Sequence, residues 1–263
     1  MLRPVLFAIV CILSAPALSQ QADVETNTDN GAKQSGGLIW SVTPYIWAVD
    51  TKVDLTVDDN PVGGDKVTFS DLLDTLDAAF QVVVETGAEG GNWSAFVDFT
   101  YMDASDDDTV NVAGTDIKVD TDSTQMFVDV AVAWWPQGIE GDYSFYGGIR
   151  HTDLDDDYDL SDAASGTPID SIDNSRSFTD ALIGGRYMYD FNERWTLQTR
   201  ADYSFGDSEG IWQLQAMVRY AVGGKQQHGV IAGYRYKEAE FEEGGVNEDY
   251  EYKGPAVAFN FRF

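Results

Sequence analysis

Cysteine is almost missing: the 263 residues hold one, Cys11. It sits in an apolar stretch near the start of the chain, preceded by Val10 rather than the small residue a lipoprotein signal requires. The thiol is therefore expected to leave with a signal sequence, which excludes a disulfide framework and a thiolate site. Histidine is nearly as scarce, at two. Basic residues are few: 16 Lys and Arg stand against 45 Asp and Glu, a formal net charge of −29. Such a chain repels nucleic acid and anionic surfaces, so no nucleic-acid partner is expected. No apolar run is long enough to cross a bilayer as a helix, and the mean hydropathy is −0.26. Proline is also sparse, at 7.

What remains is glycine, at 25, and aromatic residues, at 13% of the chain. Strands rich in aromatics, parted by polar turns, fit an all-β chain better than a helical one. The N-terminus reads as an export signal over residues 1–19. Arg3 gives the positive start, residues 5–13 the apolar stretch, and Ala17-Leu18-Ser19 a small-residue cleavage site. Residues 20–38 are polar, without an apolar rhythm, and read as a flexible tail. Residues 39–263 read as one domain.

The decisive signal is alternation. Over residues 195–205 one phase is Trp195, Leu197, Thr199, Ala201, Tyr203 and Phe205, and the other Thr196, Gln198, Arg200, Asp202 and Ser204. Residues 212–222 repeat it. Near the end, Val257, Phe259, Phe261 and Phe263 alternate with Ala256, Ala258, Asn260 and Arg262. A period of two over about ten residues marks a membrane strand. The fold class is thus all-β: a transmembrane antiparallel up-and-down barrel of about ten strands. Eight or twelve also suit the spacing, because residues 51–69 and 110–119 are long enough for extra hairpins. Expected strands lie near 39–50, 79–89, 92–104, 123–135, 143–154, 177–190, 194–205, 211–222, 228–240 and 250–263. Residues 69–77 suggest a short helix in the first outer loop. Trp40, Trp93, Trp134, Tyr143, Tyr189, Trp195, Tyr220 and Phe263 fall at strand ends beside the short turns, where amphipathic rings favour a membrane interface.

The polar phase carries the candidate site. Six of the nine arginines lie on it, one on each of the last six strands: Arg150, Arg186, Arg200, Arg219, Arg235 and Arg262. Glu85, Asp98 and Asp129 share that phase on earlier strands, and Asp180 and Asp202 on later ones. Closing the sheet sets a basic wall against an acidic one. Charges in such an interior need partners, so the lumen is expected to be filled by salt bridges. The alternative is a narrow conduit for small polar solutes.

The remaining acids gather in three long outer connections: Asp106-Asp107-Asp108, then Asp153 to Asp173, then Glu238 to Glu251. Carboxylates suit hard cations such as calcium, but the spacing is not that of an EF-hand, and no metal site or cofactor is assigned. Divalent ions at these acids, and lipopolysaccharide bridged through them, are expected only as loose partners. His228 falls at a turn and His151 points to lipid. A pairing of His151 with Asp153 is the one conceivable acid–base pair, and the outward phase of His151 argues against an enzyme.

The C-terminal GPAVAFNFRF resembles the terminal signal read by the outer-membrane barrel-assembly machinery, with Val257, Phe259, Phe261 and Phe263 as its apolar positions. With WSVTPYIWA, FSDLLDTLDAAF and GYRYKEAEF, the stretch from about 40 to 263 resembles a group of uncharacterised proteobacterial outer-membrane β-barrel proteins. That resemblance implies the barrel, the outer membrane of a Gram-negative cell, and passage by periplasmic chaperones and the assembly machinery to outer-membrane lipid and lipopolysaccharide. It carries over no catalytic residue. The expected role is structural, adhesive or envelope-related, with a narrow channel second and a surface hydrolase third.

Overall fold

The computed structural model describes residues 37–57, 60–112, 115–224, 227–243 and 246–263. The expected signal sequence and most of the polar tail lie outside them. Twelve strands and one helix follow in order: β1 (Leu38–Trp47), β2 (Asp50–Val57), β3 (Asn60–Val67), α1 (Phe69–Thr75), β4 (Leu76–Ala88), β5 (Trp93–Val112), β6 (Thr115–Trp134), β7 (Tyr143–Asp162), β8 (Pro168–Asp190), β9 (Trp195–Gly206), β10 (Gly210–Val222), β11 (His228–Glu243) and β12 (Val246–Arg262).

Ten of these strands close a barrel. β4 to β12 pair each with the next, β1 pairs with β4, and β12 pairs back onto β1. Every pairing is antiparallel, and closure runs from Ser41 opposite Arg262 to Trp47 opposite Ala256. Beyond residues 48–49 the first strand resumes as β2, which pairs with the outer half of β12 from Lys253 to Val246. β3 folds back on β2 as an outer hairpin. The count is therefore ten in the wall, with the extra hairpin at 50–67. Gly254 permits the break between β1 and β2: a Cβ there would lie 1.8 Å from the Ala48 carbonyl oxygen.

The outward face explains the membrane reading. Trp93, Val97, Val130, Val132, Trp134, Phe145, Ile149, Ile183, Tyr203, Leu214, Val257 and Phe261 are exposed. On a soluble protein so much contiguous apolar surface would be a liability; around a closed wall it is a lipid belt. The belt occupies about ten residues of each strand, roughly 25 Å of height at ordinary strand tilt. Closure leaves no unpaired edge within it, the condition for backbone in hydrocarbon.

The wall is uneven. β5, β6 and β7 have 20 residues each and β8 has 23, whereas β9 has 12. The acidic segments read as loops are ladder: Asp107 pairs with Asp120, Asp120 with Asp159, and Asp157 with both Asp122 and Asp173. That corrects the expected strand ends at 104, 123, 154 and 177. Aspartate disfavours strands, but a register already fixed in the belt carries on through the interleaved Val110, Ile117, Val119, Tyr158 and Leu160. α1 begins with a capping box between Thr68 and Asp71. It is anchored by the Phe69 N–H donating to Asp50 Oδ1 at 2.8 Å, and Leu72 packs on the apolar cluster inside the barrel.

Candidate functional site

The interior is layered. At the inner end, where β1 begins and β12 ends, lies a cavity of about 430 Å³. Arg186 dominates its wall. Its guanidinium grips Glu85 through two bonds of 2.8 and 3.1 Å. The same group lies 4.7 Å from the Phe96 ring centre and 5.2 Å from that of Trp135, near enough for cation–π attraction. Ser94 donates to Glu85 and receives the Trp135 Nε1–H, so the pair is held from behind.

Above the cavity runs a belt of buried charge. Arg150 donates to Asp129 from Nε and Nη2, at 2.7 and 2.9 Å, and to Asp202 at 2.8 Å. Arg200 touches three carboxylates: Asp98 at 2.8 Å, Asp129 at 2.7 Å and Asp202 at 2.7 Å. Arg235 bonds Gln213 Oε1 twice and Tyr45 OH once, and lies 3.7 Å from Asp98. The tyrosines close the circuit: Tyr45 OH donates to Asp98 and Tyr146 OH to Asp202, each at 2.8 Å. Arg200 and Asp98 stand 102 positions apart in sequence, so these bonds tie opposite walls. Gly184 makes room for the belt, since a Cβ there would fall 2.4 Å from Tyr146 Cζ and 2.7 Å from Asp202 Cβ. Isolated charges in an apolar interior are very costly. Here each carboxylate accepts from several donors, the condition under which such a network is tolerated.

The next layer outward is aromatic. Phe178 stacks on Phe241 with centroids 4.4 Å apart. Tyr252 meets Phe127 at 5.7 Å and Trp47 at 6.4 Å, and Tyr250 meets Phe241 at 5.7 Å. Leu154, Ile211 and Leu72 fill between them. Outermost, Arg176 pairs with Glu248 at 2.5 Å and lies 3.7 Å from Asp156.

The expected lumen residues thus fall into two groups. Glu85, Asp98, Asp129, Arg150, Arg186, Arg200, Asp202 and Arg235 are brought together by ion pairs. Asp180 is buried but held by Ser204 and Ser208 rather than by an arginine. Arg219 donates to the carbonyls of Gln227 and His228 at the inner rim, and Arg262 pairs with Glu140. Both stand below the belt because the stagger of a tilted sheet spreads one residue per strand over several heights. His151 Nδ1 lies 3.0 Å from Thr179 Oγ1, across the ladder, so its hydrogen-bond partner is Thr179 and not Asp153. Val257, Phe261 and Phe263 face outward. Sequence reading missed Tyr45, Tyr146, Gln213, Lys237 and the whole aromatic layer. The available signal was parity: Lys237 shares the inward phase of Arg235, and Tyr250 and Tyr252 that of Ala256.

No protein-family model matches the chain, and no curated protein matches it in sequence. Solved structures do match in fold. The outer membrane protease OmpT from Escherichia coli superposes with a TM-score of 0.55 at 10% identity, over 86% of this chain and 97% of its own. The translocator domain of autotransporter NalP from Neisseria meningitidis gives 0.47 at 12% identity, over 88% and 90%. Ail, the attachment invasion locus protein of Yersinia pestis, gives 0.38 at 10% identity, over 86% and 99%. The likeness to OmpT, together with the closed ten-strand wall, gives the chain the architecture of an outer-membrane β-barrel.

Proposed function

We propose that this protein is a non-conducting structural barrel of the Gram-negative outer membrane, sealed by its own side chains, which carries a tall acidic sheet on the outer side. The observation that carries this reading is the succession of two filled layers across the lumen: the ion-paired belt of Asp98, Asp129, Arg150, Arg200 and Asp202, and the aromatic layer above it. A solute would have to part both. The cavity below the belt is then a vestibule, not a passage. Liposome swelling tests this: vesicles holding the protein should swell in arabinose or glycine no faster than empty vesicles. Swelling at porin-like rates would favour the narrow channel.

The outer sheet supports an envelope role. Its outward rows carry Asp107, Asp120 and Asp159, then Asp122, Asp157 and Asp173, on neighbouring strands. Among the described residues no three acids are grouped as one metal cage, so the reading is a diffuse counter-ion face that draws divalent cations and, through them, lipopolysaccharide phosphates. Calcium should raise the unfolding temperature more than sodium at equal ionic strength. Equal effects would remove the divalent part of the proposal and leave the sealed barrel standing.

A further inference from the structure

The inner cavity has a chemistry of its own. Five arginines and five carboxylates line it, so its fixed charges cancel. Three pairs are in contact: Arg186 with Glu85, Arg200 with Asp98 and Arg262 with Glu140, each at 2.8 Å. Between these charges lies an apolar patch. Met217, Ile231 and Ala258 face the cavity from β10, β11 and β12. Ile231 is registered opposite Ala258, so the patch crosses neighbouring strands. Beside it stand two amides. Gln215 faces the cavity and makes no side-chain hydrogen bond among the described residues. Gln198, registered opposite Met217, meets only the Met188 sulfur among them, at 3.9 Å. The two glutamines are diagonal neighbours across the ladder, within joint reach of one small group. Residues 135–142 pass beneath. The Ile139 N–H donates to the Gly91 carbonyl at 2.9 Å, and Glu140 pairs with Arg262 from the opposite wall. A strap thus crosses the mouth.

At about 430 Å³ the cavity falls in the range of small-molecule pockets, roughly 300–1,000 Å³. A charged guest gains nothing from walls whose charges already balance, and its own charge would be buried without a partner. A wholly apolar guest would cover the two amides and strand them. A wholly polar guest would leave the apolar patch unmatched. An amide side chain both donates and accepts, so a matching head does the same. From β10 to β12 is two strand spacings, roughly 10 Å, the reach of a short alkyl chain. We propose that the inner cavity is a binding site for an uncharged amphiphile, a short alkyl chain with an amide or hydroxyl head. The head meets Gln215 and Gln198, the chain lies on Met217, Ile231 and Ala258, and the strap holds the guest from beneath.

Octanamide provides the test, with octanoate and octylammonium as its charged counterparts. In lipid nanodiscs, octanamide should raise the unfolding temperature of the wild-type protein by binding the folded state. The concentration dependence gives the affinity, which should be at least tenfold lower for either ion. Gln215→Leu removes one amide and no ion pair, and should weaken octanamide about tenfold. Ala258→Phe fills the cavity and should abolish the shift, which separates the site from uptake into the bilayer. Should Ala258→Phe fail to fold, wild-type crystals soaked in octanamide serve instead, with density expected between Gln215 and Ile231. The proposal is overturned by the absence of a wild-type shift, by a shift that survives Ala258→Phe, or by soaked crystals without the amide in the cavity. Equal affinity for the amide and either ion, or an unchanged affinity in Gln215→Leu, overturns it as well. The site lies below the belt, so this titration and liposome swelling report on separate questions.

Discussion

Arg200 concentrates the energetics of the lumen in one side chain. Its guanidinium reaches Asp98, Asp129 and Asp202 at once, so its removal takes one cationic partner from three buried carboxylates and leaves them to Tyr45, Arg150 and Tyr146. Loss of one partner from a buried pair costs about 3–5 kcal/mol. Arg200→Met should lose at least that in urea unfolding from detergent; a loss under about 1 kcal/mol would show that water reaches the belt. Gly184→Ala tests the same layer sterically. The added methyl has to displace Tyr146 from Asp202, and overpacking costs about 1–3 kcal/mol. A neutral Gly184→Ala would mean the ring can slide aside. At this scale the arginines were legible because charge on one phase of a strand has to face inward. The aromatic layer was not, because an inward Phe and a lipid-facing Phe look alike in composition and differ only in parity. Phe178 and Phe241 meet across the lumen, and nothing in either local stretch announces it.

The outer sheet is an element held against its own charge. Asp157 is pushed above the usual carboxylate range, first by partial desolvation within the ladder and then by Asp173, Asp155, Asp122 and Asp159. Glu240 is raised likewise, by desolvation and then by Asp249, Glu238 and Glu209. A carboxyl whose folded-state pKa is raised favours the folded ladder when protonated. That contribution is present at low pH and lost as pH climbs through the raised value. Amide exchange in the outer halves of β6 and β7, corrected for intrinsic rate, should therefore be slower at pH 4.5 than at pH 7.5. Faster corrected exchange at pH 4.5 would contradict the crowding argument. The sequence misled here for a physical reason. Runs such as DLDDDYDL carry strong turn-forming residues, and their pairing comes from a register set ten residues away in lipid. The α1 helix, by contrast, was readable because its capping chemistry is local: Thr68 and Asp71 satisfy each other within four residues.

Across the whole molecule, closure follows from the two-residue rhythm. Ten strands with lipid-facing rings and polar inward positions leave one way to satisfy the backbone, and β1 meets β12. The rhythm could not convey the unequal height of the wall or the hairpin of β2 and β3, because these lie beyond the apolar belt, where no solvent contrast enforces alternation. Nor could it distinguish plug from pore, which depends on which inward side chains meet across the lumen. The ion-paired belt and the aromatic layer are the proposed seal, and single-channel recording in a planar bilayer tests it most directly. The wild-type protein should give no steady unitary current, and the triple variant Phe178→Ala, Phe241→Ala, Arg200→Met should open a cation- or anion-selective leak. Steady currents from the wild-type protein would contradict the account.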